Sequence, residues 1–161
     1  MKKNQGFSLV ELIVVVAIMA ILIGVLAPAY LRYVEKSRKS TDVSAIDEMI
    51  GAADKVAVDP ELEVPANAKF TITISSGTAS ISYAATATTA ATANSVVTDE
   101  WKALANMKTS DYTIKSSAWS TGSGSFVGTV GTDGDVTWSH SGTVANDMCD
   151  FSSALAKKAG S

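Results

Sequence analysis

Cysteine is almost absent from these 161 residues: Cys149 is the only thiol, so no disulfide can form within the chain. Histidine is as scarce, with His140 alone. A histidine-based catalytic triad and a standard zinc site are thereby excluded, and no cofactor or enzymatic activity is expected. Aromatic residues are 7% of a chain that is 47% hydrophobic, so the apolar content is mainly aliphatic. Cationic excess is lacking too. The net charge is −3, and loss of Lys2 and Lys3 leaves −5, which argues against general nucleic-acid binding. Proline occurs only at positions 28, 60 and 65, and Asn-x-Ser/Thr sequons do not occur. Charge is missing altogether from Leu12 to Leu31.

That uncharged run is the chain's main positive feature. From Phe7 to Leu31 the only side chain charged at neutral pH is Glu11. About 20 mostly apolar residues suffice to cross a bilayer, whereas a charge deep in it costs about 2.5–3.5 kcal/mol or more. A glutamate placed there needs a compensating partner. An ordinary secretory signal, with cleavage at Ala27-Pro28-Ala29, does not explain Glu11, and helical sequence continues past Ala29. No cysteine follows the run, which excludes a lipoprotein signal. A plain membrane anchor explains the length but not the carboxylate. Counting cations does not orient the segment: Lys2 and Lys3 precede it, while Arg32, Lys36, Arg38 and Lys39 follow.

Lys-Lys-Asn-Gln-Gly6 followed by Phe7-Ser8-Leu9-Val10-Glu11-Leu12 resembles the class III signal of type IV prepilins and pseudopilins. The likeness covers about residues 1 to 55. It implies cleavage between Gly6 and Phe7 by prepilin peptidase, N-methylation of Phe7, and polymerisation through the N-terminal helix. It also implies a precursor in the cytoplasmic membrane with its N-terminus cytoplasmic, an assembly platform as partner, and a surface filament. Filaments of this kind serve adhesion, twitching motility, aggregation or DNA uptake. The alternatives are a pseudopilin of a type II secretion or competence system, or a membrane-anchored binding domain that never polymerises. For Glu11 the expected partner is the amine created on Phe7, four residues away on one helix face. A charge buried without its partner is heavily penalised, so the pair would act as a register device between subunits.

Helical periodicity continues through Ile46, Met49, Ile50, Ala53 and Val56/Ala57, and Pro60 and Pro65 lie beyond it. A helix from Phe7 to about Val58 is expected, roughly 75 Å long. Gly24 and Pro28 mark a bend or local melting point. The expected division is a leader over 1–6, a membrane or filament-core helix over 7–31, its amphipathic half over 32–58, and a β-rich head over 59–161. The fold class is α+β, the helix packing by its C-terminal half on a small antiparallel sheet.

In the head, Lys69–Ser75 and Ala79–Tyr83 read as a hairpin about Ser76-Gly77-Thr78. Residues 84–98 read as an exposed Thr/Ala loop, with a short helix starting at Thr98-Asp99-Glu100-Trp101. Tyr112–Trp119, Phe126–Val130 and Val136–Ser139 read as strands, making a meander of three or four, and Asn146–Lys158 as a helical or irregular tail. Asp133, Asp135 and Asp147 offer oxygen ligands suited to calcium, although Asp-Gly at a hairpin is ordinary turn chemistry. His140 is expected as a solvated loop residue. Cys149 is expected as a small buried hydrophobe, with an intersubunit disulfide as the alternative.

Overall fold

One helix, α1, runs from Leu9 to Ala57 without interruption in the computed structural model, which describes residues 7–85, 91–107 and 111–160. The chain divides into two compact units, Met1–Ser37 and Arg38–Ser161, with α1 contributing to both. Every residue from Phe7 to Tyr33 is exposed.

In the second unit α1 turns amphipathic. Ile46, Met49, Ile50, Ala53, Val56 and Ala57 are buried on the stripe read from the sequence, and Val43 is buried ahead of them. They share one core with a five-stranded antiparallel sheet formed by β1 (Lys69–Ser75), β2 (Thr78–Ala84), β3 (Asp111–Thr113), β4 (Ser123–Val130) and β5 (Val136–Ser141). The strand order is β3-β2-β1-β4-β5. β1 is therefore central, with Ile72 paired to Ile81 on one side and to Phe126 on the other. Alternation puts Phe70, Ile72 and Ile74 inward and Lys69, Thr73 and Ser75 outward, as a half-buried strand requires.

The first hairpin closes as its residues dictate. Ser75 pairs with Thr78, and Ser76 (φ 49°) and Gly77 (φ 79°) fill a two-residue turn of the type that needs positive φ at both positions. After β5 the helix α3 (Thr143–Phe151) packs Val144, Ala145, Met148 and Cys149 inward. Gly124 makes that packing close: a Cβ there would lie 2.6 Å from the Ala145 nitrogen. A last short helix, Ser153–Lys158, buries Leu155 and brings Lys158 within 2.8 Å of Asp47. Both side chains of that pair are about half exposed, so it adds little stability.

Four expectations are corrected. The sheet has five strands and is not a simple meander, because β4 returns beside β1. Within the expected Thr/Ala loop, a helix already begins at Ala91 and runs to Leu104. We number it α2; residues 86–90 lie outside the described residues. Alanine is the strongest helix former, and Val97 and Trp101, four apart, are both buried. The expected strand from Tyr112 to Trp119 stops at Thr113: Ile114 N–H still reaches the Gly77 carbonyl, but the Lys115 and Ser116 donors go to a carboxylate described below. His140 lies within β5, half-buried, its ring 6.2 Å from that of Phe126 and its Nδ1 3.1 Å from the Ala159 carbonyl.

Candidate assembly helix and its supports

The N-terminus of α1 has a defined local reason to start where it does. The Ser8 carbonyl accepts the first helical bond, from Leu12 N–H at 3.2 Å. Its own N–H donates to Glu11 Oε2 at 3.3 Å. Ser-x-x-Glu with this return bond is one half of a capping box, and the acid also meets the positive end of the helix dipole. Glu11 thus has a role within the chain that its place in an apolar run does not reveal. The Ser8–Glu11 spacing was the available signal.

Phe7 is 92% exposed, and the large apolar side chains from Leu9 to Leu31 are 48–72% exposed. Burying one such side chain is worth about 1.5–3 kcal/mol, so the segment as described gains far less than an apolar environment would give it. The helix is long and apolar enough to cross a membrane. Gly24 and Pro28 both sit inside it, and they form a pair. Pro28 has no N–H to give the Gly24 carbonyl, its partner in the i→i−4 ladder. A Cβ at Gly24 would meet nothing within 4 Å, so that carbonyl lies in an open stretch of helix.

Besides the Lys158–Asp47 pair, hydrogen bonds of buried and half-buried side chains tie the second part of α1 to the head. Asp42 is fully buried and accepts from the Tyr112 hydroxyl (2.9 Å), from Lys115 N–H at both oxygens (2.9 and 3.1 Å) and from Ser116 N–H (2.7 Å). Further along the helix, Trp101 Nε1 donates to the Met49 carbonyl at 2.7 Å. Trp138 Nε1 donates to Asp54 Oδ1 at 2.8 Å. Burial and then the Asp42 carboxylate hold the Tyr112 phenol well above its ordinary range. Asp42 is four residues before Ile46 and so on the same stripe. Its acid among buried positions was the legible sign of a latch.

The remaining candidates do not assemble into a metal site. Among the described residues no three His, Cys, Asp or Glu side chains gather. Asp133 Oδ1 instead accepts from Asp135 N–H at 3.3 Å, within the turn where Gly131 N–H reaches the Asp135 carbonyl at 2.7 Å. Asp147 lies on α3. Cys149 is a free, buried thiol, its pKa pushed up by burial and then by Asp150.

With this geometry in place, the likeness to known proteins can be read. Residues 1–27 match the family described as the prokaryotic N-terminal methylation motif. Fimbrial protein Q of Moraxella bovis is 40% identical over 62 residues, covering 38% of this chain and 36% of that protein. The type IV major alpha-pilin of Moraxella bovis is 45% identical over 62 residues, with the same coverage. The chain thus spans about a third of the length of these relatives. No solved structure matches it. The motif likens the N-terminal segment to that of prepilin-type proteins. Motif and relatives together support a type IV pilin.

Proposed function

We propose that the chain is the subunit of a type IV pilus, with a structural role. Prepilin peptidase would remove residues 1–6 and leave Phe7 as an N-methylated first residue. The subunit would wait in the cytoplasmic membrane, N-terminus inward, and be handed by an assembly platform into a surface filament of like subunits. The observation that carries this reading is the methylation motif over residues 1–27 coinciding with a helix whose apolar side chains are all exposed over that stretch.

In such a filament Glu11 has two tasks to divide. Inside the subunit its carboxylate caps the first turn through Ser8 N–H. Between subunits it would meet the Phe7 amine of a neighbour and select one stagger of otherwise slippery helices, since a matched buried pair is tolerated and an unmatched charge is not. Glutamine preserves the capping geometry and removes the charge, so Glu11→Gln separates the two tasks. The decisive experiment is mass analysis and N-terminal sequencing of the mature protein, followed by electron microscopy of sheared surface material. A methylated Phe7 start and long filaments are expected. A Tyr30 start would point to ordinary signal peptidase and overturn the reading.

A further inference from the structure

Between Leu9 and Ala29 α1 rises about 30 Å, the thickness of a bilayer's hydrocarbon core. The next seven residues change character together. Tyr30 and Tyr33 are 66% and 73% exposed, and Arg32 and Lys36 are exposed beside them. From Tyr30 to Lys36 the helix advances about 9 Å, enough to cross the roughly 5–8 Å of one headgroup layer. Tyrosine suits that layer because its ring is apolar and its hydroxyl polar. Arginine and lysine suit it because their stems lie on apolar surface while the charge stays wet. Glu35, the acid of this stretch, is half-buried and has a partner of its own. Lys39 is already held 5.1 Å over the Trp119 ring.

The other end of the apolar run differs. No lysine or arginine occurs from Phe7 to Leu31, so a chain that begins at Phe7 has no side-chain cation there. Resting on the cleavage reading above, we propose that the mature chain is gripped by one leaflet only. Tyr30, Arg32, Tyr33 and Lys36 bind the anionic phospholipid headgroups of the outer leaflet, and nothing equivalent binds the inner one. Cleavage then does more than free an amine. It takes Lys2 and Lys3 away and deletes the inner grip. To leave outwards, the helix draws only the Phe7 amine and Glu11 through hydrocarbon, and these are opposite charges four residues apart.

Lipid selectivity tests this directly. The full mature chain, made with prepilin peptidase and checked by mass, is reconstituted in phosphatidylcholine bilayers. The motionally restricted fraction of spin-labelled phosphatidylglycerol is compared with that of spin-labelled phosphatidylcholine. The mature chain should prefer phosphatidylglycerol several-fold at low salt and lose the preference at high salt. Arg32→Gln with Lys36→Gln should remove most of it, each cation accounting for at most about fivefold. Glutamine is a good helix former and both sites are exposed, so the variant should keep its circular dichroism; the salt titration decides the question without any substitution. The uncleaved precursor with the same two changes should keep a preference through Lys2 and Lys3. A mature chain with no preference, or a mature double variant as selective as the parent, overturns the proposal. A chain that washes off vesicles at alkaline pH overturns the membrane reading instead, and a first residue other than Phe7 overturns the cleavage reading.

Discussion

The two parts of α1 use the same apolar alphabet to opposite ends. From Phe7 to Tyr33 nothing is buried and the only ionisable side chain ahead of Tyr30, Glu11, makes a single long bond to Ser8 N–H. From Asp42 to Ala57 a stripe is buried, and its acid, Asp42, is saturated by Tyr112, Lys115 and Ser116. The difference separates two kinds of burial. The second part finds its apolar environment within its own chain. The first leaves its apolar side chains exposed along its whole length. A carboxylate is tolerated in each for the same reason, a supply of donors. In one case the head supplies them, and in the other the helix start supplies one and leaves capacity to spare.

The sharpest way to break this contrast is to damage the intramolecular side. Trp101 is fully buried, stacks edge-on with Phe70 at 5.1 Å and donates to the Met49 carbonyl. Trp101→Ala should cost the head about 3–5 kcal/mol, read as a fall in the denaturation midpoint of the detergent-solubilised chain. Asp42→Ala should cost about 3 kcal/mol, because two backbone N–H groups and the Tyr112 hydroxyl lose their acceptor in a buried place. Asp42→Asn should cost less, since one amide oxygen can still accept.

A pH titration probes the same latch more gently. The phenol of Tyr112 titrates at 10.0 when unperturbed and higher in the folded chain. A raised folded value leaves its contribution intact below 10.0; stability is lost as the pH climbs beyond it, where the unfolded chain ionises and the folded one resists. Tyr83 and Cys149 are raised by burial and act in the same sense. Thermal melts should therefore show a falling alkaline limb, shallower in Tyr112→Phe. The smallest expected effect lies on the other side of the comparison. Leu22→Ala, at a site already 55% exposed, should change head stability by no more than about 0.5 kcal/mol. A large loss there would mean that the exposed part of α1 supports the head.

What is legible in the linear chain follows the range over which residues act. The long helix, its buried stripe and the Ser76-Gly77 turn are set by neighbours three, four or one residue away, and such patterns are visible in a linear string. The same holds for the Ser8–Glu11 cap, which the expected Phe7 partner nonetheless overshadows. Where β3 stops depends instead on Asp42, more than seventy residues away in the chain, which takes the Lys115 and Ser116 donors out of the ladder. The return of β4 to the side of β1 is likewise a matter of whole-sheet pairing. Residues 91–97 mislead for another reason: Thr and Ala in low-complexity order resemble a loop, yet the buried Val97 and Trp101 turn the segment into a helix.

The latch has a mechanical consequence. Asp42, the Met49 carbonyl and Asp54 hold the head at three points spread over about 18 Å of helix. A pull along the axis of α1 strains all three together with the apolar stripe between them, so they resist as a row of rivets resists shear. A head fastened at one end of the helix would peel. This one yields only when the three give way together.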